Sequence, residues 1–328
     1  MPHSVHDALF KSTFSDPRHA EGALRAALPA QLSARFTWPT LALEPGSFVD
    51  KELQDRHTDL LFSVLLGGRP AFLYLLYEHQ STQDWLMPFR LITYSVRIWE
   101  QWLTQSSKDA RRLPAIVPVV LHHGEKGWTC ARSLEQLYDL DEETLAALGE
   151  HILRLRFVLD DVSEETDDAL RARAMSALGR LVLYCLRHAR EPKELVRGLG
   201  AWVGVARDVL LAPNGVAALQ SVWRHVLLVH KDKPEVVLKR LVAVTEEGRV
   251  RETMRTAGEE LIHRGELRGE KRGELRALRR TLLTQLTARF GPLPDWATLR
   301  IDGADTATLD ALTTRVLTAP SLEEALKG

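Results

Sequence analysis

Two neighbouring runs of apolar residues are the clearest pattern along the chain. Residues 60–66 and 71–77 are nearly all apolar, and the segment 67–70, which reads Gly-Gly-Arg-Pro, separates them. Short runs rich in Leu, Val, Phe and Tyr that are divided by a glycine pair are typical of two β-strands joined in a hairpin. The pattern therefore predicts a β-hairpin that is apolar over most of its length.

Each predicted strand carries one carboxylate at the end away from the turn, Asp59 and Glu78. A four-residue connection pairs Leu66 with Ala71, and counting back along both strands places Asp59 directly opposite Glu78. Side chains that face each other across two strands have Cβ atoms about 4.5–5.5 Å apart, where like charges are destabilising unless a cation or a proton separates them. Gln80 lies two residues beyond Glu78 and points to the same face. The pattern predicts a divalent-metal site.

Periodic segments on both sides of the hairpin predict the rest of a mixed sheet. Apolar residues at helical spacing predict helices over 5–28 and 84–105, and Asp16-Pro17 breaks the first into two, with Asp16 as the cap of the second part. Further strands are predicted at 40–44, 114–121 and 152–159. The order of helix, strand, hairpin, helix and strand predicts an α/β fold, a mixed sheet with a central antiparallel hairpin flanked by helices.

The C-terminal half is predicted to be helical. Residues 164–255 are mostly helical in pattern, with breaks near Pro192, Pro213 and Pro234, and two short helices, 307–317 and 321–326, close the chain. Between these parts, residues 263–274 repeat Arg-Gly-Glu every four residues. On a helix this period keeps Arg and Glu in separate stripes with glycine between them.

The repeat helix is predicted to be weak by itself. Each of its three glycines costs about 1 kcal/mol relative to alanine, and like charges four residues apart add to that cost. Two interpretations stay open: a solvated linker helix, or a helix that pairs with a partner, which would make the protein a homo-oligomer.

Composition restricts the class of protein. The chain has 328 residues, 45% of them hydrophobic, and a formal net charge of −1, so any contact with nucleic acid must use a local basic surface. Two cysteines, Cys130 and Cys185, do not make a disulfide framework or a zinc site. Neither a membrane span nor a signal peptide is recognisable, which predicts a cytoplasmic protein without a membrane partner.

The hairpin residues suit a hard divalent ion. Mg²⁺ prefers oxygen ligands, which Asp59, Glu78 and the backbone carbonyl of His79 could supply, while Gln80 could orient an attacking water. The alternative is a pair of acids solvated at the edge of the sheet. His122-His123 follow a predicted buried strand, and either approach this site or bound DNA, or cap a turn.

At these residues the sequence resembles the Rpn family of recombination-promoting nucleases, within the PD-(D/E)XK nuclease superfamily. The resemblance covers residues 3–128 specifically and the remainder more loosely. It is carried by the ordered series His6-Asp7-x-x-Phe10-Lys11, Ser47-Phe-Val-Asp50, Thr58-Asp59-Leu-Leu, Tyr77-Glu78-His79-Gln80-Ser81, Met87-x-Phe89-Arg90-x-x-x-Tyr94 and Leu113-Pro-x-x-x-Pro118.

The resemblance implies a restriction-endonuclease-like core, the PD-(D/E)XK fold, and DNA cleavage that depends on Mg²⁺, with Mn²⁺ as an alternative ion. Asp59 and Glu78 match the two acids of the superfamily. Gln80 stands where the superfamily has lysine, so the positive charge of that lysine is missing here. Asp7 on the first helix is either an auxiliary acid of the metal site or a helix cap.

These observations lead to three predicted parts and two hypotheses. Residues 1–160 are the predicted nuclease core, 161–255 a helical extension and 256–328 a helical C-terminal region. The first hypothesis is a metal-dependent DNA endonuclease linked to recombination or mobile-element transposition. The second is a catalytically weak DNA-binding or regulatory protein that keeps the fold and self-associates through its C-terminal helices.

Overall fold

The computed structural model describes residues 5–45, 58–78, 83–106, 111–124, 126–188, 191–229, 234–243 and 247–327. The chain forms two compact units, Met1–Gly258 and Glu259–Gly328. The division into three parts that the sequence suggests stays a prediction.

A five-stranded mixed sheet, counted over the described residues, runs through the first unit with its strands in chain order. The first strand is antiparallel to the second, and the second is antiparallel to the third. The fourth strand is parallel to the third, and the fifth is parallel to the fourth. This confirms the predicted α/β class and the hairpin inside the sheet. The strands are β1 Phe36–Leu43, β2 Thr58–Leu66, β3 Arg69–Glu78, β4 Ala115–His122 and β5 Val158–Asp161.

The hairpin turn is shorter than the four-residue connection that the sequence suggested. Leu66 pairs with Arg69, so only Gly67 and Gly68 connect β2 to β3. Both glycines have positive φ, 55° and 76°, as a two-residue type I′ turn requires. This turn matches the right-handed twist of its strands, and glycine adopts it without steric cost.

The shorter turn changes the register of the two candidate acids. Asp59 pairs with Leu76, not with Glu78, so the prediction that the two acids lie directly opposite each other is wrong. Glu78 is two residues beyond Leu76 and occupies the diagonal position of the ladder. Such positions are about 7–8 Å apart, a spacing that reduces direct repulsion.

Replacing Gly68 by alanine is expected to lower the free energy of unfolding by roughly 1–2 kcal/mol, the cost of a left-handed backbone with a Cβ atom. Open space surrounds the position, so the penalty comes from the backbone and not from a clash. Gly67→Asn is the control, because Asn-Gly is a preferred type I′ pair and should be neutral. Urea denaturation measures both, and an equal loss in the two variants would contradict the assigned turn.

Eleven helices accompany the sheet within the described residues of the chain before Gly248. Asp16 caps the second by accepting a hydrogen bond from the backbone N–H of Arg18 at 2.9 Å, and Pro17 is its first residue, as predicted. The helices are α1 Val5–Phe14, α2 Pro17–Ala27, α3 Ala30–Ser33, α4 Met87–Gln105, α5 Glu142–Leu148, α6 Asp167–Ala172, α7 Ala177–Arg187, α8 Pro192–Gly198, α9 Val203–Leu211, α10 Gly215–Val229 and α11 Pro234–Ala243. Three 3₁₀-helices span Leu134–Leu137, Gly149–His151 and Leu199–Trp202.

Helices cover both faces of the sheet. Tyr74 and Leu76 of β3 pack with α4 in one buried apolar cluster. Tyr77 alternates to the other face, where its ring stacks on Phe10 of α1 at 4.3 Å. We call the side with Tyr74 and Leu76 the α4 face of the sheet, and the side with Tyr77 the α1 face.

The last strand is shorter than its alternating sequence predicts. Only Val158–Asp161 pairs with β4, so the predicted strand over 152–159 is largely wrong. The backbone of the preceding residues bonds instead to the segment 132–134, with Leu134 donating to the Leu155 carbonyl at 2.9 Å. Arg156 forms an isolated antiparallel bridge with Ser133, so this segment pairs with a loop and not with the sheet.

The second unit is a small helical core. A 43-residue helix, α12 Gly248–Phe290, includes the Arg-Gly-Glu repeats, and the unit boundary falls within it. Leu282, Leu286, Ile301, Leu309 and Leu312 lie in its buried cluster. The other helices are α13 Asp295–Gly303, which the sequence pattern did not indicate, α14 Thr306–Arg315 and α15 Leu322–Ala325.

Over the described residues, no helix combines the length and the apolar character that a membrane crossing requires.

Candidate functional site

The carboxylate of Asp59 lies on the α4 face of the sheet, near the start of β2. Its Oδ2 accepts a hydrogen bond from the hydroxyl of Tyr74, which comes from the neighbouring strand β3. The Tyr74 side chain is fully buried, and burial together with the adjacent Asp59 charge raises its pKa well above the usual value. The hydroxyl therefore stays protonated and holds the carboxylate in one orientation.

A second layer of polar contacts lies behind this pair, at the start of α4. The ring of Tyr94 meets that of Tyr74 edge-on, with centroids 5.6 Å apart. The Tyr94 hydroxyl accepts hydrogen bonds from Nε and Nη2 of Arg90 at 3.3 and 3.1 Å. Nη1 of Arg90 donates to Oδ2 of Asp84 at 2.5 Å. Asp84 also accepts from the backbone N–H of Leu86 at 2.9 Å, which fixes it at the helix start.

The electrostatics of this layer keep Arg90 charged. Burial opposes the charge of Arg90, but hydrogen bonds with Asp84 and Tyr94 outweigh burial and raise its pKa. Burial raises the pKa of Tyr94, the Arg90 guanidinium opposes that rise, and the Asp59 carboxylate adds to it. Asp59 and Arg90 thus both affect the pKa of Tyr94, so a carboxylate and a guanidinium lie near the same hydroxyl.

The segment that leads into α4 is also tied to the loop after β4. Oε1 of Gln83 accepts hydrogen bonds from the backbone N–H groups of Thr129 at 2.7 Å and Cys130 at 3.3 Å. Its amide nitrogen donates to the carbonyl of Gly127 at 2.9 Å. These bonds hold the start of α4 in place relative to the sheet end that carries Asp59.

The other predicted ligands are described only in part. Glu78 is the last residue of β3 and pairs with His122 of β4. The side chain of Glu78 lies outside the described part of the structure, as do His79 and Gln80 entirely. Their assigned roles therefore stay predictions, with Glu78 placed by its backbone at the same sheet end as Asp59.

Asp7 belongs to the opposite face of the sheet from Asp59. It is a buried residue in the first turn of α1, the helix that packs through Phe10 on Tyr77. Asp59 points instead to the α4 face, where it meets Tyr74. The auxiliary role of Asp7 stays a prediction, and it requires the two acids to meet around the end of the sheet.

Two histidines at the end of β4 are buried, and Nε2 of His122 also lies 3.2 Å from the Lys126 carbonyl in the segment that follows the strand, as the turn-capping alternative predicts. His122 is 1% exposed and meets the ring of Trp128 edge-on at 5.2 Å. His123 alternates to the α1 face, where its Nε2 lies 2.6 Å from the Tyr77 hydroxyl and its ring stacks on that tyrosine at 5.0 Å. These contacts give both histidines a packing role at this sheet end.

Comparison with known proteins identifies the family. Residues 4–213 match the family model described as "Putative transposase, YhgA-like". The chain belongs to this YhgA-like family. No solved structure matches the chain.

Several curated proteins of Escherichia coli are similar to this member of the YhgA-like family. Recombination-promoting nuclease RpnD of strain O157:H7 is 31% identical over 185 residues, which are 56% of this chain and 68% of RpnD. Recombination-promoting nuclease RpnA of strain K12 is 32% identical over 187 residues, 56% of this chain and 60% of RpnA. The predicted membership of the Rpn family is confirmed.

Some of the similar proteins have names that describe them as inactive. The inactive recombination-promoting nuclease-like protein RpnE of strain K12 is 32% identical over 184 residues, 56% of this chain and 59% of RpnE. The chain therefore spans about three fifths of the length of RpnA and RpnE, and it resembles an inactive relative as closely as it resembles the nucleases.

The donor chemistry at Asp59 fits a hard divalent ion. Among the residues with described side chains, no group of three or more His, Cys, Asp and Glu is placed to hold a metal ion. Asp59 alone nevertheless has the features of a magnesium ligand, a carboxylate on a rigid strand oriented by a neighbouring hydroxyl. A carboxylate has about four lone-pair sites, so accepting the Tyr74 bond is compatible with binding an ion.

The sequence interpretation missed Tyr74 and Asp84 as partners of the site. Tyr74 lies on the same face as Asp59 in either register, but the observed turn places it two residues from the register partner of Asp59, Leu76, whereas the predicted turn placed it four residues from Glu78. Arg90 and Tyr94 were recognised within a family block, and their spacing of four residues on a helix was the available signal that they contact each other.

Proposed function

We propose that the chain is a divalent-metal-dependent DNA endonuclease that uses Mg²⁺ and serves recombination or transposition. The main support is the Asp59 carboxylate, which Tyr74 orients at the sheet end where β3 places Glu78. Similar proteins named recombination-promoting nucleases add to this support. The order of helix, antiparallel strands, helix and parallel strand supports a PD-(D/E)XK type of core.

In this mechanism each residue of the candidate site has a distinct role. Asp59 and Glu78 would hold Mg²⁺ together with the carbonyl of His79, and Gln80 would orient the attacking water. Tyr74 holds the Asp59 carboxylate in one orientation through its hydrogen bond. Bound Mg²⁺ lowers the pKa of water and stabilises negative charge on the phosphate. Asp7 would support the ion from the α1 side.

A supercoiled-plasmid nicking assay tests the proposal directly. The wild type is expected to nick DNA with Mg²⁺ or Mn²⁺ and to stop when a chelator is added. Glu78→Ala is expected to lose nicking and to weaken Mg²⁺ binding in calorimetry. Undiminished cleavage by Glu78→Ala would place the site elsewhere. A wild type that binds neither ion would refute the proposed metal-dependent endonuclease activity.

The alternative function is a catalytically weak DNA-binding or regulatory protein. Two observations favour it: glutamine at position 80, where the superfamily has lysine, and 32% identity to a relative named inactive. A wild type that binds duplex DNA in an anisotropy assay, yet nicks no plasmid with either ion, would establish this alternative in place of the endonuclease.

We also propose that the chain self-associates through the repeat helix. The described side chains between His263 and Glu274 are all exposed on α12, and the four-residue period of the sequence predicts one basic and one acidic stripe along this helix. A second copy could pair the two stripes and approach over Gly265 and Gly273, where nothing lies within 4 Å of an added Cβ. Light scattering of the full chain tests this idea.

The control for self-association is a full-length charge-reversal variant. Glu→Arg at positions 266, 270 and 274 would place like charges on both stripes. We expect a dimeric or larger mass for the wild type and a monomeric mass for the variant. A monomeric wild type would refute the proposal.

The cytoplasmic location also stays a proposal. It is supported by the thiols of Cys130 and Cys185, which form no disulfide.

A further inference from the structure

Arg90 is a largely buried cation at the start of the helix behind the candidate site. Its side chain is 19% exposed, so it is packed but still in contact with solvent. It lies in the first turns of α4, which begins at Met87, and its neighbour Tyr94 packs on Tyr74 of β3. The positive end of the helix dipole of α4 is therefore beside Arg90.

Contacts lead from this guanidinium to the Asp59 carboxylate. Arg90 donates to the Tyr94 hydroxyl at 3.1 Å, the Tyr94 ring meets that of Tyr74 at 5.6 Å, and the Tyr74 hydroxyl donates to Asp59. On the other side Asp84 accepts from Arg90 at 2.5 Å. Asp84 is itself held by the helix start, so the guanidinium is fixed between two side chains that cannot easily move.

The sequence lacks a cation where the superfamily resemblance expects one. Phosphodiester hydrolysis develops negative charge on the phosphate, and fixed positive charges near it stabilise that charge most in a site that excludes water. An amide at position 80 is neutral and does not provide this. Arginine is well suited to the task, because its guanidinium is permanently charged, weakly hydrated and matches phosphate oxygens in shape.

We propose that Arg90 supplies the positive charge at the scissile phosphate that lysine supplies in other members of the superfamily and that Gln80 does not. This inference rests on the proposed endonuclease function. Asp84 and Tyr94 are positioning residues that aim the guanidinium, and Tyr74 links it to the carboxylate that binds the ion. A purely structural role would need the packing of Arg90 but not its charge at the phosphate.

Single-turnover cleavage of a labelled duplex by four full-length proteins tests the inference. They are the wild type, Arg90→Gln, Arg90→Lys and the double variant Arg90→Gln with Gln80→Lys. We expect Arg90→Gln to slow cleavage by about 100-fold, the usual effect of removing one fixed donor from a developing charge. Arg90→Lys should retain more activity than Arg90→Gln, and the double variant should regain about tenfold or more over Arg90→Gln.

Two further measurements separate charge from packing. Mg²⁺ affinity from calorimetry is expected to be unchanged or higher in Arg90→Gln, because a cation has been removed near the ion. If Arg90→Gln does not fold, Tyr94→Phe replaces it in the test, since it removes the hydroxyl that positions Arg90 and keeps the ring. Its cleavage should then slow by about tenfold and recover with Gln80→Lys.

Several results would overturn the inference. They are wild-type cleavage rates in Arg90→Gln, loss of Mg²⁺ binding in that variant, or the absence of any recovery with Gln80→Lys in a folded protein. In each of these cases the endonuclease proposal survives if the wild type cleaves and Glu78→Ala does not. A wild type that does not cleave at all refutes the proposed function and this inference together.

Discussion

Asp59→Asn is expected to reduce metal-dependent nicking of supercoiled DNA by about 100-fold or more, which corresponds to roughly 2.7 kcal/mol of transition-state stabilisation. Asparagine has the size of aspartate and a carbonyl oxygen that can still accept the Tyr74 hydrogen bond. What it lacks is the negative charge that a hard divalent ion requires. The loss should therefore appear in cleavage and in Mg²⁺ binding, while the melting temperature changes little.

Two matched variants show whether the charge of Asp59 is the cause. Tyr74→Phe keeps the carboxylate and removes the hydroxyl that orients it, so it should cost about 10-fold in activity or metal affinity, the low end for such supporting residues. Asp141→Asn changes an exposed helix cap and should leave cleavage unchanged. If Asp59→Asn nicks DNA as fast as Asp141→Asn does, Asp59 is not a metal ligand.

Local sequence signals predicted the elements that depend on neighbouring residues. Asp16-Pro17 specified the start of α2, because a side-chain acceptor and a fixed φ act within one helical turn. Apolar runs likewise predicted β2, β3 and β4, whose residues are buried in the sheet and need no polar alternation. These features follow from interactions among residues close in sequence.

The register of the hairpin was not predictable from the apolar runs alone. Both strands are apolar on both faces, so a shift in pairing leaves as much apolar surface buried. The turn therefore determines the register, because Gly67-Gly68 favours a two-residue connection with positive φ over a four-residue one. A shift of two positions then moved Asp59 from Glu78 to Leu76 and brought it into contact with Tyr74.

The candidate site was predicted in its acids but not in its supporting contacts. Asp59 and Glu78 were recognisable as polar residues at the ends of apolar strands. The contact of Tyr74 with Asp59 depends on the hairpin register, and the contact of Tyr74 with Tyr94 depends on how α4 lies against the sheet; the apolar runs specify neither. The same limit applies to the segment 152–157, whose hydrogen bonds go to a distant loop that alternation cannot reveal.

Arg173→Met is expected to lower the free energy of unfolding of the first unit by about 3–5 kcal/mol. Nη1 and Nη2 of Arg173 donate to the two carboxylate oxygens of Asp160 on β5, at 3.0 and 2.7 Å, and Nε donates to Glu165 at 3.0 Å. The side chains of Arg173 and Asp160 are only 9% and 6% exposed. Removing the guanidinium leaves the Asp160 carboxylate buried without its cation. Urea denaturation followed by tryptophan fluorescence measures the loss.

A double variant distinguishes the loss of a charge partner from the loss of packing. Arg173→Met combined with Asp160→Leu removes both charges, and such apolar replacements of buried pairs are often neutral, so most of the stability should return. The remaining acid, Glu165, is 30% exposed and can reach water. Arg197→Ala is the control: its ion pair with Glu194 is exposed, and its loss should cost less than about 1 kcal/mol. If the double variant is as unstable as Arg173→Met, the arginine stabilises β5 through its packing and not through its charge.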